Sequence, residues 1–398
     1  MRCTAAVPFT GTVTTTLQGP MALSARALAP DLARGFMLLF IALANSHYFL
    51  RGSSVLGGFP QDGSAVDSAA TWLIATFVDG RAFPMFGLLF GYGVAQIVRR
   101  HEALERKAVR RLLWRRSLVL VLVGLLHGLL LYVGDILMAY GVLLFLGVWA
   151  VRWKDGWLLT VAAFFLVLGA LPSNDSLSVS SEPPHISMLP PDLVTTIAER
   201  IMVTPFIALI APIGFACPFL LGLWAGRRRV LEQPARHLIL LRVAAAVGIG
   251  IAVVGAQPVS LVLAGALPVP DAGTLSVIGP LHDSAGVLGG VGYAALIALV
   301  AHRIGTRRGP VVDAIAAVGQ RSMTCYLTQS VVWAVVFTPY LLDLSGTLSV
   351  FTTALLAIAT WLATVVMADR MQRAGYRGPF ELLLRRFTYG GPAVASTD

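Results

Sequence analysis

The chain has 398 residues, of which 57% are hydrophobic and only 13% charged, and its mean hydropathy is +0.77. Because a soluble domain carries about 25% charged residues, this chain lacks the polar surface that a water-soluble globular protein needs. Its formal net charge of +10 comes mainly from arginines between apolar runs, a pattern of membrane topology, so we expect no nucleic-acid partner. Cys3, Cys217 and Cys325 show no paired spacing, and we expect neither a disulfide framework nor a metal site.

Residues 1–25 are rich in Thr and Ala and contain no apolar core long enough for a signal peptide, so we predict a disordered tail there. About ten apolar stretches that could cross a bilayer follow it. They run approximately over residues 32–50, 72–98, 112–132, 135–151, 156–171, 197–226, 238–266, 284–303, 319–341 and 346–368. The sixth and seventh are long, which predicts a tilt or a break. The fold class predicted is an all-α, polytopic integral membrane protein, with a helix bundle over residues 26–370 and an amphipathic cytoplasmic tail over 371–398.

Basic residues concentrate in every second connection between these stretches. The first cluster, between the second and third stretches, contains Arg99, Arg100, Arg106, Lys107, Arg110, Arg111, Arg115 and Arg116. The intervening connections are acidic or neutral, apart from Arg51. The positive-inside rule then places both termini in the cytoplasm. Small residues four apart, such as Gly87 with Gly91 and Gly286 with Gly290, predict close helix packing.

Two ionisable residues stand out in the third and fourth stretches. His127 lies in a run without charged residues, roughly 16 Å into the membrane when counted from Arg116. A charged group there costs at least about 2.5 kcal/mol. Asp135 opens the fourth stretch, and a carboxylate near an imidazole orients a general base. The structural alternatives are a histidine that bonds a neighbouring helix and an aspartate that caps a helix, and the sequence leaves both open.

Other polar residues lie toward the same outward side. Asn45 and His47 fall near the outward end of the first stretch, and Asp79 and Arg81 near the outward start of the second. These groups would meet His127 at one depth if the first four stretches are neighbours. The alternatives are an interfacial ion pair between Asp79 and Arg81, and a headgroup contact for His47.

Two further polar pairs lie at the ends of stretches. His282 and Asp283, just before the eighth stretch, could join the outward group. At the cytoplasmic end of the first stretch, Asp31 could cap the helix while Arg34 extends toward water.

Several motifs resemble those of the YeiB-like family of bacterial membrane proteins, which is defined by a domain of unknown function numbered 418. In the N-terminal region, residues 26–155, they are Asp31-Leu-Ala-Arg34-Gly35-Phe36 with Asn45, Phe77-Val-Asp79-Gly80-Arg81, Phe86–Gly93, and Gly124-Leu-Leu-His127 followed by Gly134–Tyr140. In a C-terminal domain of about residues 220–390 they are Val318–Tyr326 and Gly378–Arg385. Leu382 departs from the family, which usually has Trp there. Glu381 and Arg385 are spaced for an i,i+4 pair.

YeiB-like proteins are similar in arrangement to a wider group of transmembrane acyltransferases that includes heparan-α-glucosaminide N-acetyltransferase. The resemblance implies transfer of an acyl group, with acetyl as the expected one, from cytoplasmic acyl-CoA to a hydroxyl or amine on the far side. It also implies a multi-pass protein of the bacterial cytoplasmic membrane. Asn45 falls where that enzyme has an Asn, whereas the following loop lacks a counterpart of its catalytic His, so His127 would have to substitute.

We therefore hypothesise a membrane acyltransferase in which His127 is the general base, Asp135 orients it and Asn45 contacts the oxyanion or substrate. The substrate-binding residues would be Arg81, Asp79, His47 and Arg34. The donor would be acyl-CoA, and the acceptor would be a glycan, a lipid or a small molecule. We also expect the protein to contact membrane lipids, and the sequence leaves open whether it forms a homodimer. The alternatives are a transporter or flippase for a small metabolite or lipid-linked sugar, and a non-catalytic scaffold.

Overall fold

Apolar runs bounded by loops and capping residues form α-helices throughout residues 27–389, the part of the chain that this computed structural model describes. The tail predicted for residues 1–25 and the end of the C-terminal tail, residues 390–398, lie outside the described residues. The first helices are α1 (Leu28–Ser46), α2 (Ala65–Phe77), α3 (Ala82–Arg100), α4 (Arg106–Leu130), α5 (Ile136–Gly147) and α6 (Asp155–Gly169). They are followed by α7 (Leu193–Arg227), α8 (Leu238–Leu263), α9 (Ala272–Ile304), α10 (Pro310–Gln320), α11 (Ser322–Phe337), α12 (Val350–Arg373) and α13 (Pro379–Tyr389).

Strand structure is confined, in the described chain, to one small hairpin in the loop between α1 and α2. Its strands are β1 (Val55–Leu56) and β2 (Phe59–Pro60), which pair antiparallel with Val55 opposite Pro60. Helices α1 and α3 lie inside the bundle, where α1 packs against α3, α9, α10 and α12. The predicted all-α class is confirmed.

Seven helical segments among residues 27–389 are long and apolar enough to cross a membrane by length and composition. They coincide with the first three, the sixth to eighth and the tenth of the predicted stretches. The other three predicted stretches correspond to shorter apolar helices, namely α5, α6 and α11. The chain is thus a polytopic membrane protein. The ninth stretch, expected to begin at residue 319, is interrupted at Arg321, where α10 ends and α11 begins.

The long sixth and seventh stretches are continuous helices, not broken ones. Helix α7 has 35 residues and contains Pro205, Pro212 and Pro218, and α8 contains Pro258. At 1.5 Å per residue α7 is roughly 50 Å long, against about 30 Å for the hydrocarbon layer. A tilt, or extension beyond the bilayer, therefore accommodates its length.

The second predicted stretch is folded as two helices. Helix α2 ends at Phe77 and α3 begins at Ala82, with Gly80 between them at φ 72°. Only glycine adopts this left-handed conformation at little cost, so Gly80 permits the turn. The Arg81 guanidinium donates hydrogen bonds to the carbonyls of Ala75 (3.2 Å) and Asp79. A buried break needs such partners because the membrane interior supplies none.

Glycines bring α3 close to its neighbours, as the spacing of small residues predicted. A Cβ atom on Gly91 would lie 2.1 Å from the carbonyl oxygen of Phe219 in α7. A Cβ atom on Gly286 in α9 would lie 2.2 Å from the carbonyl oxygen of Gly80. Any side chain at these positions would push the helices apart, so Gly91 permits the close approach of α3 to α7, and Gly286 that of α9 to the α2–α3 break.

Candidate functional site

His127 and Asp135 form a buried hydrogen-bonded pair. His127 lies near the end of α4, and Asp135 is the N-cap residue of α5, whose Oδ2 accepts the Met138 N–H at 2.6 Å. Its Oδ1 lies 2.7 Å from Nδ1 of His127. The residues are only 3% and 4% exposed. The capping role and the orienting role, which the sequence offered as alternatives, are carried by different oxygens of one carboxylate.

The position of Gly124 makes this pair possible. Gly124 lies almost one helical turn before His127, on the face of α4 that meets α5. A Cβ atom there would lie 2.1 Å from the backbone N of Met138 and 2.5 Å from Oδ2 of Asp135. Glycine thus lets the N-terminus of α5 approach α4 closely enough for Asp135 to reach the imidazole.

The pair leaves one histidine nitrogen available. A carboxylate only accepts hydrogen bonds, so Nδ1 of His127 is the donor in this contact, and in the neutral imidazole Nε2 then carries the lone pair. Within the described residues Nε2 is buried without a hydrogen-bond partner. The rings of Tyr326 and Tyr132 have centroids 5.1 and 6.5 Å from the imidazole centroid. A buried imidazole oriented in this way can take a proton from a neighbouring O–H or N–H group.

His47 and Asp79 lie close together, and Asn45 precedes His47 by two residues at the end of α1. Nε2 of His47 is 4.0 Å from Oδ2 of Asp79, and the His47 ring stacks on Phe59 with centroids 3.8 Å apart. All three polar side chains are buried. Among the described residues no hydrogen-bond partner is found for Oδ1 of Asn45, for either nitrogen of His47 or for Oδ2 of Asp79. These atoms are suited to a ligand or ordered water.

The Arg81 guanidinium donates to the backbone carbonyl of Asp79 and not to its carboxylate, so the ion pair that the sequence left open as an alternative is not formed. Its Nη2 donates to the carbonyl of Ala252 at 2.7 Å, and its Nη1 lies 2.9 Å from Nε2 of His282. Arg81 thereby joins the α2–α3 break to α8 and α9.

His282 and Asp283 contact each other and two nearby serines. Nδ1 of His282 is 3.3 Å from Oδ1 of Asp283, which also accepts the Ser178 hydroxyl at 2.5 Å. The other carboxylate oxygen accepts the Ser176 hydroxyl at 2.8 Å. The residues that the sequence analysis grouped at one depth thus form separate contacts: His282 reaches Arg81, whereas His127 contacts Tyr132.

A cavity of about 900 Å³ lies among α1, α3, α4, α5, α11 and α13. Eight arginines line it: Arg34, Arg99, Arg100, Arg116, Arg229, Arg321, Arg377 and Arg385. Two acidic residues, Glu232 and Glu381, share the wall, and the aromatic lining includes Tyr140 and Tyr326. The cavity thus extends from the basic, predicted cytoplasmic side to the tyrosine that packs against His127. Of its arginines, only Arg34 was predicted to be a site residue.

The cavity arginines differ in how they are held. Nη2 of Arg99 lies 2.7 and 2.8 Å from the two carboxylate oxygens of Glu232. Arg34 contacts Asp31 and donates to the carbonyl of Leu89, both at 3.3 Å. For Arg116, Nε is buried without a hydrogen-bond partner in the described chain. Sequence reasoning missed this convergence because these side chains are distant in sequence and each conforms to the positive-inside pattern.

Glu381 connects α13 to the start of α11. Its carboxylate accepts the N–H groups of Met323 (2.8 Å) and Thr324 (3.1 Å) and the Thr324 hydroxyl (2.5 Å). The expected pairing with Arg385 is thus replaced by capping of α11. This contact fixes α13, which contributes Leu384 and Tyr389 to the cavity wall.

The fold and site define a polytopic α-helical membrane protein with a buried His–Asp pair beside an arginine-lined cavity. Residues 225–391 match the family described as "Protein of unknown function (DUF418)". The chain is 28% identical to the uncharacterized protein YxaH of Bacillus subtilis (strain 168), over 90% of this chain and 93% of that protein. It is 34% identical to the uncharacterized protein YeiB of Escherichia coli (strain K12), over 29% of each. The chain therefore contains a DUF418 domain and is a distant homologue of YxaH and YeiB, which confirms the family resemblance.

We predict that Glu381→Gln destabilises the protein by about 1–2 kcal/mol, because a charged acceptor at a helix N-terminus is replaced by a neutral one. Thermal unfolding in detergent should show a lower melting temperature. Glu105→Gln is the matched control, since Glu105 is exposed at the N-cap of α4 and makes no side-chain cap bond. Equal melting temperatures for the two variants would contradict the capping role of Glu381.

Proposed function

We propose that the protein is a membrane-bound acyltransferase that moves an acyl group, acetyl in the first instance, from cytoplasmic acyl-CoA to a hydroxyl or amine acceptor at the outward face. One observation carries the proposal: the arginine-lined cavity reaches Tyr326, whose ring packs 5.1 Å from the imidazole of the His127–Asp135 pair. An anion-binding entrance and an oriented base thus lie next to each other.

The proposed topology has ten spans, with both termini on the cytoplasmic side of the bacterial membrane. It adds the shorter apolar helices α5, α6 and α11 to the seven long segments. The alternation of basic and acidic connections supports this orientation. In this orientation the cavity arginines face the cytoplasm, where acyl-CoA is found, and the outward polar residues face the acceptor.

The cavity arginines suit the phosphate groups of the donor. Guanidinium groups bind phosphate through paired hydrogen bonds, and these bonds strengthen where water is partly excluded. Arg34, Arg116 and Arg321 lie on the wall together with Tyr326. A donor held there would extend its thioester toward His127.

The acceptor would approach from the opposite side. The unpartnered oxygens of Asn45 and Asp79 accept hydrogen bonds, and His47 can donate or accept, which suits a ligand rich in O–H or N–H groups. Nε2 of His127 would remove the acceptor proton, and Asp135 would stabilise the imidazolium that results. A glycan, a lipid headgroup or a small metabolite meets this requirement.

A transporter or flippase is the second candidate, favoured by the break between α2 and α3. Discontinuous helices beside unpartnered ionisable groups mark substrate sites in many transporters. Asp79 lies in this break, 4.0 Å from His47. Uptake or efflux in proteoliposomes that follows a pH gradient, without acyl transfer, would establish this alternative.

Cysteine labelling tests the topology. In a Cys3→Ser background, we predict that Glu182→Cys reacts with a membrane-impermeant maleimide in intact cells, whereas Arg307→Cys reacts only after permeabilisation. Both positions are exposed, and the native Cys217 and Cys325 are buried. Labelling of Arg307→Cys in intact cells would contradict the orientation.

We predict that His127→Gln lowers acyl transfer by about 10²–10⁴-fold, because a positioned general base contributes that much to proton transfer. The measurement uses purified protein in lipid vesicles, radiolabelled acetyl-CoA and cell-envelope extract, with label counted in glycan, lipid and peptide fractions. His302→Gln is the control, since His302 is an exposed histidine near the end of α9.

Two results would contradict the proposed acyltransferase function. One is the absence of label from every fraction with the wild-type protein, and the other is equal transfer by wild type and His127→Gln. The first result combined with gradient-driven transport would favour the second candidate.

We predict that Arg116→Gln weakens the binding of CoA by about 10–100-fold, since a hydrogen bond to a charged group contributes about 1.5–3 kcal/mol. Isothermal titration of the detergent-solubilised protein measures the dissociation constant. Arg303→Gln is the control, because Arg303 is exposed on α9 and does not line the cavity. Equal affinities for both variants would mean that Arg116 serves topology alone.

A further inference from the structure

Tyr326 stands where the arginine-lined cavity meets the His127–Asp135 pair. It lies on α11, lines the cavity and is only 2% exposed. Within the described residues its hydroxyl has no hydrogen-bond partner of normal geometry. A buried hydroxyl left without a partner is costly, so its retention beside an ionisable pair needs a reason.

The N-terminus of α5 also reaches this part of the cavity. Leu137, the second residue of α5, lines the cavity together with Tyr326, and Asp135, the N-cap residue of α5, bonds the imidazole against which the Tyr326 ring packs. The first N–H groups of an α-helix have no intrahelical acceptor, and the positive end of the helix dipole favours negative charge there. One side-chain donor and the start of a twelve-residue helix therefore converge at the inner wall of the cavity.

Tyr140, another tyrosine of the cavity wall, is not equivalent. Its hydroxyl donates to the carbonyl oxygen of Phe83 at 3.3 Å. Unlike the Tyr140 hydroxyl, the Tyr326 hydroxyl remains available to a ligand within the described residues.

We propose that the Tyr326 hydroxyl and the first backbone N–H groups of α5 form the oxyanion hole of this site. The inference rests on the proposed acyltransferase function and adds a catalytic residue that touches the reacting carbonyl. An oxyanion hole requires preorganised donors directed at the place where negative charge develops, in a site that excludes water. At the cavity wall the Tyr326 hydroxyl and the start of α5 supply such donors, and the Tyr326 ring lies 5.1 Å from the His127 imidazole between centroids.

The reaction then proceeds in two steps. Nε2 of His127 takes the proton of the acceptor hydroxyl as its oxygen bonds to the thioester carbonyl carbon. The carbonyl π electrons move to the carbonyl oxygen, and Tyr326 and α5 donate hydrogen bonds to the resulting oxyanion. In the second step these electrons re-form the carbonyl, the C–S bond breaks, and the CoA sulfur leaves with the proton from His127. The products are the acylated acceptor and CoA thiol.

In this arrangement positive groups offset the negative charges of Asp135 and of the oxyanion. The Asp135 carboxylate is negative and close to the start of α5, where the oxyanion would form. When the oxyanion is present, His127 is an imidazolium hydrogen-bonded to Asp135, so the two negative charges are accompanied by the positive ring and the helix N-terminus.

The test compares Tyr326→Phe, which removes only the hydroxyl, with Tyr293→Phe. Tyr293 is a partly buried tyrosine of α9 whose hydroxyl donates to the carbonyl of Phe77 at 3.0 Å, away from the cavity. Steady-state transfer from radiolabelled acetyl-CoA to envelope extract gives kcat and KM for the donor, and thermal unfolding reports on folding. We expect Tyr326→Phe to lower kcat by about 10²–10³-fold, as the loss of one oxyanion donor does.

In that variant KM for acetyl-CoA, the melting temperature and the pH dependence set by His127 should stay near wild type, and Tyr293→Phe should retain kcat. An unchanged kcat, or a higher KM with unchanged kcat, would overturn the oxyanion role and leave the proposed enzyme intact. A fall in kcat that merely tracks a fall in melting temperature would also overturn it. Absence of transfer by the wild-type protein would reject the enzyme and the oxyanion hole together.

Discussion

The carboxylate of Asp135 is the interaction on which the candidate site depends. One oxygen caps α5 and the other binds Nδ1 of His127, so the residue that starts a helix also orients an imidazole. Inside a membrane neither group could turn to water instead. The contact also requires Gly124, because any larger residue would separate α4 from the start of α5. Helix packing and the orientation of His127 are therefore parts of one arrangement.

The same constraint explains the break between α2 and α3. Breaking a helix in the membrane frees backbone carbonyls, and the Arg81 guanidinium binds those of Ala75 and Asp79 while also reaching α8. The residue that sequence reasoning assigned to substrate contact is thus largely engaged in holding the backbone. His47 and Asp79, in contrast, retain buried atoms without partners in the described chain. The distinction separates groups that hold the fold from groups that remain available for a ligand.

The arginine-lined cavity shows how one residue type can meet two requirements. Arginines at the ends of helices orient a membrane protein regardless of any ligand. Here α1, α3, α4, α13 and the turn between α10 and α11 bring several of them around a single space that ends at Tyr326. Glu381 keeps α13 on this wall by capping α11, the helix that carries Tyr326. The Glu381 contact therefore joins α13, on the cavity wall, to the helix that carries Tyr326 at the inner end of the cavity.

The sequence by itself determined the class of protein, because a chain with so few charged residues and so many long apolar stretches can bury its backbone only as helices in a membrane. The sequence also indicated the His127–Asp135 pair, because the connection between α4 and α5 is short and keeps the residues at the facing ends of these helices close together. Only the tertiary structure decided the break at Gly80, the capping by Glu381, the partners of Arg81 and the convergence of eight arginines on the cavity that Tyr326 also lines. Those features depend on contacts between helices distant in the chain, and spacing along a sequence carries no record of which helices pack together.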